Sequence, residues 1–109
     1  MDRTDRIAEE IKKVISDMIQ NELKDPRVKG LISVTKVTIT KDLKYCKIYI
    51  SVLGADKAEV LEGVKSGAGY MRKELGNRVQ IRILPELEFL IDDSMEYGTH
   101  IDKIIKEIM

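Results

Sequence analysis

Lys65-Ser66-Gly67-Ala68-Gly69 sets four small residues in a row behind one cation, and Arg72, Lys73 and Arg78 follow within a few positions. Small side chains let a phosphodiester backbone approach main-chain N–H groups. A helix starting there adds a favourable dipole, and nearby cations neutralise phosphates. That chemistry is a clamp for single-stranded RNA. The same residues suit a plainer role, in which the glycines permit close packing of helix on sheet and the charges solvate an exposed face. Spacing alone leaves both readings open. Tyr45, Tyr49 and Tyr70 offer rings on which bases could stack, although strand tyrosines also pack against their neighbours.

Other chemistries have less to work with. Gly67-Ala68-Gly69 lacks the Gly-x-x-x-x-Gly-Lys-[Ser/Thr] order of a phosphate-binding loop, which excludes an ATPase or GTPase of that kind. A Ser-His-Asp or Cys-His arrangement would have to use His100, the one histidine, and nothing in the sequence puts a nucleophile beside it. Cys46, the one cysteine, lies in an apolar run and reads as a small buried hydrophobe. It has no second cysteine for an internal disulfide, and no familiar spacing completes a zinc site with His100. This fits a reducing compartment. Asp92 and Asp93 follow a strand and read as turn or helix-entry residues. The expectation is a protein that is not an enzyme and needs no cofactor or metal.

The elements that must position the small-residue stretch follow from periodicity. From Thr4 to about Lys24, Ile7, Ile11, Val14, Ile15 and Met18 share one helical face. Lys24-Asp25-Pro26-Arg27 ends that helix with Asp25 as its last or next-to-last residue, because proline cannot continue the ladder. Leu31 to Thr40 is dense in β-branched residues, and its alternation changes phase between Val34 and Val37, which predicts a bulge or strong twist. After a turn at Lys41-Asp42-Leu43-Lys44, Tyr45 to Leu53 alternates Cys46, Ile48, Ile50 and Val52 against polar or aromatic neighbours, as the second strand of a hairpin.

A helical stripe of Ala58, Leu61, Val64, Ala68, Met71 and Leu75 then runs straight through the glycines. Each interior glycine costs about 1 kcal/mol relative to alanine, so two helices sharing one face around a kink are expected. Asn77 to Leu84 is a basic connector whose interleaved Val79, Ile81 and Ile83 suit a short extended segment, and Pro85 opens a third strand, Glu86 to Asp92. Thr99-His100-Ile101-Asp102 resembles a capping box before Ile101, Ile104, Ile105 and Ile108, which predicts a short terminal helix. A crossover of about 30 residues favours parallel pairing of the second and third strands. The expected fold is α+β, ordered α-β-β-α-kink-α-β-α, with a three-stranded mixed sheet and the second strand central.

The 109 residues suit a single domain, 1–109. Nineteen Lys plus Arg balance nineteen Asp plus Glu, which on average speaks against a polyanionic partner. The average conceals a gradient. Residues 1–23 hold four basic and six acidic residues, 24–84 thirteen and six, and 85–109 two and seven. The small-residue stretch lies in the basic part. The N-terminus has no apolar stretch of signal-peptide length and no run approaches a membrane span, so a cytoplasmic location without membrane contact is expected.

In this order the chain carries Arg3-x-x-Arg6-Ile7, Lys24-Asp25-Pro26-Arg27, Val34-Thr35-x-Val37, Asp42-Leu43-x-Tyr45-Cys46-Lys47-Ile48-Tyr49-Ile50-Ser51, Gly69-Tyr70-Met71-Arg72, Arg82-Ile83-x-Pro85-Glu86-Leu87-x-Phe89 and Asp92-Asp93-Ser94. In these residues it resembles the bacterial ribosome-binding factor A family over nearly its whole length. The resemblance implies a type II KH-like domain with an Ala-x-Gly helix–kink–helix. Here the matching positions read Gly67-Ala68-Gly69, a departure that should loosen the kink while keeping its residues small. It further implies a non-enzymatic assembly factor, monomeric, that binds the free 30S subunit and its 16S rRNA late in maturation, assists 5′-end processing and supports growth in the cold. The RNA face would comprise Lys65, Ser66, Gly67, Ala68, Gly69, Arg72, Lys73, Arg78 and Arg82, with Arg27, Lys36 and Lys47 as electrostatic additions. The competing expectation is a protein-interaction module that dimerises through a sheet edge or its acidic terminal segment.

Overall fold

The computed structural model describes residues 2–94. The terminal helix expected after Thr99, with His100, lies outside the described residues. Six elements follow in order: α1 (Arg3–Asn21), β1 (Leu31–Ile39), β2 (Tyr45–Leu53), α2 (Lys57–Ser66), α3 (Ala68–Arg78) and β3 (Glu86–Ile91). The sheet order is β1-β2-β3, antiparallel between β1 and β2 and parallel between β2 and β3. This is the expected mixed sheet. Cys46, Ile48, Ile50 and Val52 of β2 are all buried on its inner face, where they meet Ile32 and Val34 of β1 and Phe89 of β3. α1 lies chiefly against β1, while α2 and α3 cover the β3 side.

α1 begins where Asp2 accepts a 3.1 Å hydrogen bond from the Asp5 N–H, a helix cap. Ile7, Ile11, Ile15 and Met18 are its buried line. The helix stops at Asn21, earlier than the expected Asp25. The cause is the turn ahead. Asp25 accepts from the Arg27 N–H through its carboxylate at 2.9 Å and from the Val28 N–H through its carbonyl at 3.0 Å, with Pro26 at the second turn position. Holding Asp25 in that turn leaves Leu23 and Lys24 to lead into it, and the Leu23 N–H closes back on the Met18 carbonyl at 3.1 Å.

The phase change in β1 is a bulge: Val34 pairs with Ile50 and Lys36 with Tyr49, so Thr35 is the extra residue. Its hydroxyl donates to Asp92 Oδ2 at 2.6 Å, from β1 across β2 to the residue that follows β3. In the turn before β2, Leu43 adopts a left-handed φ of 63°. Asp42 holds that turn through the Thr40 hydroxyl at 2.6 Å and the Lys44 N–H at 3.0 Å.

Two expectations in the crossover need correction. The buried line of α2 runs through Val60, Gly63 and Val64, while Ala58 is exposed. Asp56 caps the helix, and Ala58 falls in its first turn, outside the covered face. Asn77 to Leu84 forms no extended strand. α3 continues to Arg78, after which Val79 is buried and Ile81 half-buried as single anchors. Pro85 is fully buried, and the Glu86 N–H opens the parallel ladder on the Lys44 carbonyl at 2.8 Å.

The cross-sheet bond makes one prediction. Asp92 is pulled down to about 2 by hydrogen bonds from Ser94 first and Thr35 second. Thr35→Val should move its midpoint up toward the ordinary 3.8, as read by carboxyl NMR titration. Stability from this carboxylate is complete above that ordinary value and is lost as pH falls through about 2, so the variant should lose its share at a higher pH.

Candidate nucleic-acid interface

The kink is one residue wide. Gly67, at φ −90° and ψ 2°, ends α2 and precedes α3. Its N–H donates to the Val64 carbonyl and its carbonyl accepts from the Met71 N–H, both at 3.0 Å, so it belongs to both helices' ends. Neither Gly67 nor Gly69 has a positive φ. Their demands differ in another way. A Cβ on Gly67 would lie 2.6 Å from Leu23 Cδ2, whereas one on Gly69 would meet nothing within 4 Å. The two readings of the small-residue stretch therefore divide between its glycines: Gly67 permits close packing, and Gly69 faces open space.

No side chain caps the N-terminus of α3, and the first N–H groups of a helix lack intrahelical acceptors. A groove of about 320 Å³ runs beside it, lined by Ala68, Gly69, Arg72, Glu86 and Leu87. Gly69 and Lys73 stand four residues apart on one helical face. Lys73 is exposed and has no ion-pair partner among the described residues, and Lys65 has only a 3.9 Å contact with Glu62. Glu86 places one carboxylate on the groove's far wall.

The remaining cations are more committed. Arg72 donates through Nε to the Pro85 carbonyl at 3.0 Å and through Nη2 to the Leu84 carbonyl at 2.9 Å, tying α3 to the approach of β3. Arg78 is gripped by Glu22 at 2.7 and 2.6 Å and by Glu74 at 3.0 Å, with Asp17 at 4.0 Å. Arg27 pairs with both oxygens of Asp25, at 3.0 and 2.8 Å. The Ser66 hydroxyl lies 2.7 Å from the Gly63 carbonyl and 3.1 Å from Asp25 Oδ2, so it also faces the turn. Lys36 and Lys47 stand on the open face of the sheet, the opposite side from the helices, with Lys36 5.9 Å above the Tyr49 ring. Arg82 is exposed, has no ion-pair partner among the described residues, and lies in a separate hollow past the end of α3. Thus Lys65, Gly67, Ala68, Gly69, Arg72 and Lys73 gather at the kink, and Arg82, Lys36 and Lys47 lie elsewhere.

Glu22 and Asp25 are the residues that sequence reasoning missed. Hydrogen bonds from Arg78 and then Tyr70 lower Glu22 to about 2, and the same contact raises Tyr70. Arg27 holds Asp25 well below the ordinary carboxylate range. The Asp25-Pro26-Arg27 spacing signals its local pair, whereas nothing in sequence links Glu22 to Arg78. Burial pushes the Cys46 thiol up to about 12, which leaves it no thiolate for chemistry at neutral pH.

A helix–kink–helix crossover laid on a three-stranded mixed sheet is the KH-like class of α+β domain. The family profile described as "Ribosome-binding factor A" matches residues 3–105. A ribosome-binding factor A from Acetivibrio thermocellus is 57% identical over 98% of this chain and 89% of its own length. One from Caldanaerobacter subterraneus is 49% identical over 97% and 88%. The crystal structure of ribosome-binding factor A from Thermus thermophilus superposes with a TM-score of 0.73 at 27% identity, covering 81% of this chain and 94% of that one. A homology model of the Thermus thermophilus factor, as fitted into the cryo-electron-microscopy map of a 30S complex, gives 0.66 at 28% identity, covering 79% and 91%. The chain belongs to the ribosome-binding factor A family.

The glycines and the Arg78 cluster each yield a test. Gly69→Ala should raise stability by up to about 1 kcal/mol in urea unfolding. Gly67→Ala should gain less, because Leu23 must move; equal gains would show that the close approach has no cost. The Glu22 contribution is fully present above its ordinary 4.5 and is lost as pH falls through about 2. Thermal melts of Glu22→Gln should therefore lose the corresponding part of the acid slope, while a slope like that of the parent protein would remove Glu22 from the acid response.

Proposed function

We propose that this chain is a non-enzymatic assembly factor of the cytoplasm that binds the free 30S subunit and its 16S rRNA late in maturation. On this reading it acts as one domain, 1–109, and as a monomer, assists 5′-end processing and supports growth in the cold. The observation that carries the proposal is the uncapped start of α3, where Gly69 opens onto the groove and Lys65 and Lys73 stand four residues before and after it in the chain. The Thermus thermophilus relative fitted into a 30S complex supports the choice of partner.

The mechanism is recognition without chemistry. A phosphodiester laid over Gly69 meets main-chain donors and the helix dipole, and the two lysines supply charge. Bound across a strand of rRNA, the domain stabilises one conformation of the immature subunit and leaves when the mature fold no longer presents it. Arg72 contributes by holding the groove's wall in place through the Leu84 and Pro85 carbonyls. Arg78 does so by fixing α3 to the end of α1.

Because Arg72 is a strut, the informative substitutions are the lysines. Charge reversal of Lys65 and Lys73 together should weaken binding to purified free small subunits about tenfold or more. It should also flatten the dependence of log K on log salt by about 1.4, near 0.7 for each lost contact to a single strand. Binding to assembled 70S ribosomes as tight as to the free subunit, or a double reversal without effect, would overturn the proposal.

A further inference from the structure

A second hollow lies away from the kink, where the first turns of α1, the β1–β2 turn and the stretch after α3 meet. Its volume is about 510 Å³, within the roughly 300–1,000 Å³ of small-ligand sites. Ile7, Leu43, Val79 and Ile81 give it an apolar floor, and Arg3 and Arg82 line it from elements 79 positions apart in the chain. Neither arginine has a carboxylate within ion-pair distance among the described residues. Arg78 also borders the hollow, but Glu22 and Glu74 neutralise it.

Leu43 reaches that floor from the β1–β2 turn, which its N–H closes on the Thr40 carbonyl at 2.9 Å. It is the one non-glycine residue with a positive φ among those described, and that strained backbone turns its side chain into the core cluster beside this floor. Two guanidinium groups with no carboxylate partner among the described residues call for an anionic ligand, and planar guanidinium groups also stack on bases. The four apolar side chains beneath the guanidinium groups offer contact that an inorganic anion does not use. Gln80 on the wall adds an amide donor and acceptor suited to a base edge, while Asn77 beside it donates to Glu74 at 2.9 Å.

We infer that this hollow takes one unstacked nucleotide of single-stranded RNA, its base on the apolar floor and its phosphate on Arg3 and Arg82. The inference rests on the reading of the partner as RNA and adds a second contact, separate from the kink. Phosphate on a free nucleotide offers the same chemistry, so the probes must separate the two sources.

The test uses the full chain with a mixed-sequence RNA hexamer, adenosine monophosphate, adenosine and inorganic phosphate, read by amide NMR shifts and fluorescence anisotropy. The hexamer should shift the amides of residues 77–82 and Leu43. Arg3→Ala with Arg82→Ala should weaken it about tenfold and flatten the salt dependence by about 0.7 to 1.4. Leu43→Gly, which relieves the positive φ, should weaken the hexamer about threefold and leave the salt dependence unchanged. Inorganic phosphate reproducing every shift would reduce the hollow to an anion site and overturn the inference. Monophosphate binding as tight as the hexamer would overturn the RNA assignment in favour of a free nucleotide. If reversing Lys65 and Lys73 weakens subunit binding while the arginine pair does not, the inference fails and the proposed function stands; if neither does, both fail.

Discussion

The inner face of β2 is the constraint on which the rest of the molecule depends. Cys46, Ile48, Ile50 and Val52 must all be kept from water, and the strand has a neighbour on each side. An antiparallel neighbour can be reached through a tight turn, and Thr40 to Leu43 provides it. A parallel neighbour requires the chain to travel back along the sheet before it can pair. That return is α2 and α3, and its apolar residues close the inner face on the way. The kink is where the return changes direction, so the small-residue stretch is a product of covering β2 before it is anything else.

This origin explains why its two glycines behave differently. Gly67 sits where α2 meets the tail of α1, and Leu23 fills the space that a side chain would need. Gly69 is two residues further on, beyond that contact, where a Cβ would meet nothing within 4 Å among the described residues. Packing thus sets the bend, and the bend leaves the beginning of α3 bare. The cations around it follow the same logic. Arg72 and Arg78 brace the helices against the connector and against α1, which leaves Lys65 and Lys73 as the charges at the kink with most freedom.

Much of this was legible in the sequence because it is local. The strands follow from alternation, the bulge from the changed phase between Val34 and Val37, and the kink from two glycines set in an apolar stripe. What escaped reading is set by distant partners. The 56 positions between Glu22 and Arg78 leave no pattern, and the Leu84 and Pro85 carbonyls that hold Arg72 have no side-chain signature. α1 ends short of the proline because Asp25 already turns the backbone, whereas proline marks only where a helix can no longer run. Lys47 is a different case: strand alternation already sets it against Cys46 and Ile48 on the polar face, and that face is the one away from the helices and the kink.

The Thr35 bulge also bears on how the sheet meets other chains. An edge strand offers a row of main-chain donors and acceptors to any extended peptide, and proteins discourage this with bulges, charge and brevity. β1 is interrupted by its bulge, with Lys36 next to it. β3 has only six residues, carries Glu86 and Glu88, and is pinned by Arg72 before its start and by the Asp92 bond after its end. Both margins are poor templates for strand addition. Recognition by this fold is thereby directed away from sheet extension and toward its loops and helix ends, where side chains can be exchanged without disturbing the ladder.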